Sequence, residues 1–383
     1  MSNVANEEML IEAEDFDDYG GWVLDSQFDH EMGSPYLLAH GYGRPVADAS
    51  TTVKLDQSGT YEVWVRAKDW VPAHHPGRFE LSLGAAKLEC EFGANGQDWC
   101  WERAGSIELE AGPLKVTLHD LTGFDARCDA IYISRNGGQP IDGAEPDARA
   151  WRRRLRGLPD EPTAEGPFDV VFVGGGVTGS VGALAAARLG LRVAVVQNRP
   201  VLGGNASIEI GIGPRGEKGS LVAEAIARKP DGDLQIGQLL TAEPNATIYL
   251  HHQVFDLELN GRVIESIDAR EALSGREIRI AASQFIDCTG TAILAVLAGI
   301  PTMFGVESAD EFGESLAPPE RLEQHHGHTV FFRTRMAEEP VEFPEAPWAI
   351  EVAKDFADLG GQAIEPGTDN GDGPVVEAFR PPS

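Results

Sequence analysis

Residues 174–179, Gly-Gly-Gly-Val-Thr-Gly, are where residue type and spacing in this sequence first imply chemistry. In this GxGxxG, Gly174 suits a tight turn, Gly176 allows backbone to approach a pyrophosphate, and Gly179 lets a helix sit against a strand. Val177 and Thr178 fall in the first turn of the helix that follows, whose free amides and positive dipole end suit phosphate oxygens. Such a motif is weak alone and gains force from its setting. Residues 168–173 are a continuous apolar run, as a buried parallel strand requires. Residues 180–189 form an Ala-rich helix ended by Gly190, and 192–196 supply the next strand. The unit reads as a dinucleotide site rather than a bare glycine turn. The acid that usually ends the second strand and binds ribose is replaced by Gln197, followed by Asn198 and Arg199. The amide oxygen of Gln can still accept from a hydroxyl, and Arg199 by itself would point to a 2′-phosphate.

Three further runs bear on which dinucleotide. They are Arg-Pro-Val-Leu-Gly-Gly-Asn-Ala-Ser at 199–207, a strand through Gln253 and Val254, and Gln-Phe-Ile-Asp-Cys-Thr-Gly at 284–290. In this order they resemble the FAD-dependent oxidoreductases whose FAD domain is of the glutathione-reductase type. The resemblance implies FAD rather than NAD, with Gln197, Asn198 and Arg199 near its ribose. It places Gly203, Gly204 and Asn205 along ribose and pyrophosphate, Val254 against adenine through its backbone, and Thr289 and Gly290 close to the cofactor. The family's further Gly-Asp motif, which closes around the flavin ring, has no match before Ser383. The chain is therefore expected to be a fragment with an incomplete flavin site.

The elements that must carry this site divide the chain. Residues 59–67 alternate apolar and polar side chains, as do 78–83, 87–92, 105–109, 114–120 and 130–134, with Gly, Pro and Asn between them. The expected fold is multidomain. A jelly-roll-type β-sandwich over 8–136 and a linker over 137–166 precede an α/β Rossmann-type FAD-binding domain over 167–300. An irregular, partial substrate-domain segment covers 301–383. Within the linker, the basic run 150–156 is expected to be a short helix docked on acidic surface.

The sequence Glu-Ala-Glu at 12–14 resembles the opening of carbohydrate-binding jelly-roll modules, and 129–133 resembles their last strand. That resemblance implies a structural calcium on Glu12, Glu14 and Asp129, whose hard oxygens suit the ion. Ordinary acids at a sandwich edge are the competing explanation. Sugar binding would need exposed aromatics, for which Trp70, Trp99 and Trp101 are the candidates, although Trp99 and Trp101 share a face that could equally be core.

Of the remaining candidates, His328 follows His325 and His326 and is the residue expected to abstract a substrate proton as hydride leaves. Arg215 could anchor an anionic substrate group. The net charge of −30 disfavours nucleic acid and anionic membranes as partners. Four cysteines without a CxxC, and neither a signal peptide nor an apolar span, lead to a cytoplasmic expectation. The function expected is an FAD-dependent oxidoreductase oxidising a CH–OH or CH–NH group of a small, carbohydrate-related molecule. The alternatives are a non-catalytic FAD binder and a carbohydrate-binding protein. Oligomeric state is not legible.

Overall fold

Tyr61, Val63 and Val65 are buried while Thr60, Glu62 and Trp64 are more exposed, so 59–67 folds as a strand with one face inward. The computed structural model describes residues 7–323 apart from residue 97. Among the described residues, ten strands build the N-terminal part: β1 (Glu8–Glu12), β2 (Val23–Asp25), β3 (Tyr36–His40), β4 (Ala49–Leu55), β5 (Gly59–Ala67), β6 (Phe79–Leu83), β7 (Ala86–Lys87), β8 (Cys100–Leu109), β9 (Gly112–Asp120) and β10 (Phe124–Ser134). The short helix α1 (Asp29–Met32) lies between β2 and β3. One sheet runs β2-β3-β10-β5-β8 with β1 also on β10, and the other runs β4-β9-β6-β7. Every pairing is antiparallel. Val63, Val65, Ile131 and Ile133 of the first sheet share a core with Leu81, Leu83, Val116 and Leu118 of the second.

The strand expected over 87–92 is shorter. Leu88, Cys90 and Phe92 do pack toward the core. However, Leu88 bonds to Leu81 and Phe92 to Phe79, so four residue steps cover what two cover on β6, and the segment bulges off the ladder.

The second part alternates strand and helix: α2 (Pro146–Arg156), β11 (Thr163–Val173), α3 (Val177–Arg188), β12 (Val193–Val196), α4 (Ser220–Ala225), α5 (Ile236–Thr241), β13 (Ala246–Tyr249), β14 (His252–Asn260), β15 (Val263–Glu271), β16 (Glu277–Asp287) and α6 (Ile293–Leu297). Its sheet has the order β13-β12-β11-β16-β15-β14. The pairs β13–β12, β12–β11 and β11–β16 are parallel, and β14–β15–β16 is an antiparallel meander. Ala183, Leu184 and Ala187 of α3 cover Val170, Phe172, Val193 and Val195 on one face. Ile267, Ile280 and Leu294 join Val171, Val173, Ala194 and Val196 on the other. Burial on both faces is why these strands read as unbroken apolar runs. β11 starts at Thr163, opposite Ile278, so the end of the expected linker is already strand.

Helix α2 joins the two parts. It starts at Pro146, whose missing N–H costs nothing there, and stops at Gly157 in the left-handed region. Trp151 packs on Tyr132 and Trp101 with ring centroids 5.3 and 6.1 Å away. Its arginines account for the acids that sequence assigned to calcium. Arg152 Nη2 lies 2.7 Å from Asp129 Oδ2 and its Nε 3.4 Å from Glu12, while Arg156 Nη1 lies 3.0 Å from Glu14. Arg66 approaches Asp129 from the other side at 3.5 Å. The calcium assignment is corrected accordingly: guanidinium groups meet the negative charge that would draw a cation. Among the described residues no group of three or more His, Cys, Asp or Glu is arranged to hold a metal. Burial raises the carboxyls of Glu12 and Glu14, and holds Arg152 against its charge, while Glu12 and Asp129 draw Arg152 above the ordinary arginine range.

Of the aromatic candidates Trp99 is buried, while Trp70 and Trp101 are half-buried. Trp99 is 6% exposed and packs with Met32 and Tyr36, Trp101 packs under α2, and the indole N–H of Trp70 donates to the Phe124 carbonyl.

Beside this interface, burial pushes the Asp29 carboxyl up to about 7. The folded chain then holds a proton between about pH 4 and 7 that the unfolded chain has released. The stabilisation linked to that proton is complete below pH 4 and lost as pH rises through 7. Asp29→Asn removes the dependence. Its unfolding free energy should gain on the parent by about 2–4 kcal/mol between pH 4 and 8, read from urea melts at both pH values; a constant difference would contradict this.

The described residues up to Ala298 fall in one compact unit and those from Gly299 to Glu323 in another. Within the second, Ser308 and Glu311 form a capping box on α7 (Ala309–Phe312), and Val306 pairs with Leu322. His328 lies outside the described residues. Among the described residues no helix is long and apolar enough to cross a membrane.

Candidate functional site

The parallel strands β12, β11 and β16 end side by side, and the glycine loop leaves β11 at that carboxyl edge. This is where open α/β sheets place ligands. Gly174 donates its N–H to Val196 O at 2.8 Å, and Cys288 N–H reaches Val173 O at 2.7 Å, so the loop is pinned between its two neighbours. At Gly174 φ is +99°, and a Cβ would come within 2.6 Å of the Cys288 carbonyl. A Cβ on Gly179 would lie 2.0 Å from Gly174 O, so the first turn of α3 rests directly on the loop. Ser180, fully buried, adds a 2.7 Å hydroxyl bond to Gly175 O.

Gly176 and Gly290 differ from these. A Cβ on either would meet nothing within 4 Å. Open space therefore adjoins the backbone where α3 begins, and the first-turn N–H groups, Val177 and Thr178 among them, have no helical acceptors. Gly203 and Gly204, both at positive φ, bring the second loop alongside. Gly203 N–H donates to Gly175 O at 2.8 Å, and a Cβ on Gly204 would sit 3.2 Å from the Gly176 Cα. Asn205 follows, exposed. The cradle thus combines backbone donors, a helix N-terminus and room for a group, the chemistry a pyrophosphate needs. The glycine loop, the second loop and the Thr289–Gly290 segment are brought together as the sequence led one to expect, and the residues present fit FAD's diphosphate.

Two assignments change. Gln197 was expected to face ribose. Its Oε1 accepts from Gly175 N–H at 2.7 Å, its Nε2 donates to Val201 O at 3.3 Å, and it is 5% exposed. It positions the glycine loop. Gln197→Ala would leave a buried loop N–H without an acceptor. It should lower stability by about 1–3 kcal/mol and weaken FAD binding in parallel, read by urea melts and flavin titration; unchanged values in both would contradict that role. Arg199 is also engaged elsewhere. Its Nη2 lies 2.6 Å from Glu209 and its Nη1 3.1 Å from Ser26 of the sandwich, and the Glu209 hydrogen bond raises its pKa. Asn198 between them is exposed.

Val254, on β14, is buried in the core, and its carbonyl accepts from the Gln253 side-chain amide at 3.1 Å. β14 begins beside the loop, since His252 N–H donates to Gln197 O at 2.9 Å. Arg215 lies on an exposed stretch after Ile208, Ile210 and Ile212, themselves exposed.

Sequence reasoning passed over two residues. Asp287 Oδ1 accepts from both N–H and hydroxyl of Thr289, at 2.9 and 2.6 Å, and its Oδ2 accepts from Leu294 N–H at 2.9 Å. It thereby fixes the turn into α6; the signal was its place at the head of Asp-Cys-Thr-Gly. Ser180, the first residue after the motif, offered no comparable signal.

Comparison with known proteins bears on this geometry. The C-terminal CBM6 of LamC, a laminarinase from Zobellia galactanivorans, is 20% identical over 33% of this chain and 99% of its own, with a TM-score of 0.27. A family 35 carbohydrate binding module from Clostridium thermocellum is 18% identical over 33% of this chain and 96% of its own, with a TM-score of 0.28. L-proline dehydrogenase from P. horikoshii is 17% identical over 55% of this chain, with a TM-score of 0.25, and the match spans only 31% of that enzyme. At these scores none of the three carries an argument. The family described as FAD dependent oxidoreductase matches residues 169–229 and 218–372, more than half of the sequence. That span takes in the glycine loop, the second loop and the Thr289–Gly290 turn, and the chain belongs to the FAD dependent oxidoreductase family.

Proposed function

We propose that this chain contributes the FAD-binding part of a flavoenzyme that takes two electrons from a CH–OH or CH–NH group of a small, carbohydrate-related substrate. The observation that carries the reading is the open space at Gly176, in a loop whose other glycines are closely packed, together with the open space at Gly290 on the turn after β16. In this reading the loop is a Rossmann-type phosphate cradle. The amides of α3's first turn hold the diphosphate, Gly203, Gly204 and Asn205 lie along it, and Val254 and Thr289 border the adenosine and the turn. FAD, when bound, supplies the two-electron acceptor. Arg215 would bind an acidic group of the substrate, and His328 would take the proton released as the C–H bond breaks. The sugar-like class is favoured by the N-terminal sandwich, taken as a jelly-roll module, whose Glu-Ala-Glu opening resembles carbohydrate-binding modules.

Anaerobic titration of the FAD-loaded chain tests this. Sugars and polyols, and separately secondary amines, should bleach the flavin band for at least one class, and His328→Ala should slow the bleaching while leaving FAD content unchanged. Oxidised flavin in the presence of every candidate, bleached only by dithionite, would leave a binding protein without turnover.

A further inference from the structure

A cavity of about 20 Å³ lies where α2, β15 and the α1 turn meet, and its lining is unusual in a chain of net charge −30. Five guanidinium side chains line it, from Arg149, Arg152, Arg153, Arg156 and Arg270, against two carboxylates, Glu12 and Glu277. The four of these that belong to α2 each have an acidic partner: Asp256, Asp129, Glu277 and Glu14 respectively. Arg270 has none. It is 7% exposed, stacks over the Phe255 ring at 5.3 Å, and its side chain makes no hydrogen bond or ion pair among the described residues. Its terminal nitrogen lies against Gly33, where a Cβ would come within 3.2 Å. The carboxylate that influences it most, Asp29, is beyond ion-pair distance and is held partly protonated by burial.

A guanidinium cannot relieve burial by losing its proton. An unpaired buried charge costs several kcal/mol, so such a group calls for a counter-charge. Room for a water-sized body takes ~10–15 Å³. The cavity therefore has room for one monatomic anion.

We propose that this cavity is an anion site that takes one chloride-sized halide on Arg270. The anion meets the unpaired guanidinium of Arg270 where α2 ties the sandwich to the β15–β16 hairpin, and so links halide concentration to the stability of that junction.

Thermal unfolding of the full chain at fixed ionic strength, with gluconate exchanged stepwise for chloride, reads this directly. Tm should rise by about 2–5 °C per tenfold increase in chloride once the site begins to fill. Arg270→Met should lose that response, and Arg154→Met, on the exposed side of α2, should keep it. Crystals soaked in bromide should show an anomalous peak beside Arg270; this arm needs no variant, should Arg270→Met fail to fold. A Tm indifferent to the exchange together with no bromide peak would overturn the site and leave a water-filled cavity. A full chloride response retained in Arg270→Met would overturn Arg270 as its holder.

Discussion

Gly176→Trp should abolish FAD binding, by about 100-fold or more, while leaving the fold intact. The backbone at Gly176 has ordinary helical-entry geometry, φ −61° and ψ 179°, and a Cβ there would meet no protein atom within 4 Å. The indole would therefore fill the space left for the diphosphate rather than disturb packing. Flavin retained after gel filtration measures the loss, and an unchanged thermal midpoint shows that folding was spared. Gly174→Ala supplies the contrast. Its φ of +99° and the 2.6 Å approach to Cys288 mean that the substitution strains the chain itself. It should cost about 2–4 kcal/mol of stability whether or not flavin is present. Equal flavin content in Gly176→Trp and parent protein would remove the diphosphate from this loop.

The largest stability effect is expected at Asp129→Asn. Asp129 is fully buried and holds three groups at once: the Ser34 hydroxyl at 2.6 Å, Arg152 at 2.7 Å and Arg66 at 3.5 Å. Removing its charge leaves two guanidinium groups that cannot deprotonate in a dry interior, with Glu12 the nearest acid remaining to Arg152 and Asp142 to Arg66. The cost should be about 3–5 kcal/mol, read as a lowered urea midpoint with unchanged slope. Arg152→Met combined with Asp129→Asn should recover part of it, because the stranded charge is then absent. If the single substitution costs less than about 1 kcal/mol, the pair is solvated and does not tie α2 to the sandwich.

What could be read from the sequence follows the range of the forces involved. The β5 strand over Gly59–Ala67 and the glycine loop were legible because each depends on neighbours a few residues away: alternation for the strand, backbone freedom and an adjacent apolar run for the loop. β3 was missed because Tyr36, Leu37 and Ala39 are all buried, which leaves no alternation to see. The acids Glu12, Glu14 and Asp129 were rightly found together, but their counter-charge comes from α2, Arg152 and Arg156 lying more than twenty residues beyond Asp129. Nothing local distinguishes an acid awaiting calcium from one awaiting arginine. Gln197 was legible as a residue at the ribose end of β12. Its turn toward Gly175 depends on how the two loops pack, which no spacing rule conveys.

The central claim is that residues 174–179, 203–205 and 289–290 cradle the diphosphate of FAD. Parallel titrations of the purified chain with FAD, FMN and ADP test it most directly, because FMN carries the flavin without the diphosphate and ADP carries the diphosphate and adenosine without the flavin. The account predicts that FAD binds at one per chain, that ADP displaces it, and that FMN binds far more weakly. Binding of FMN as tightly as FAD, with no displacement by ADP, would contradict it.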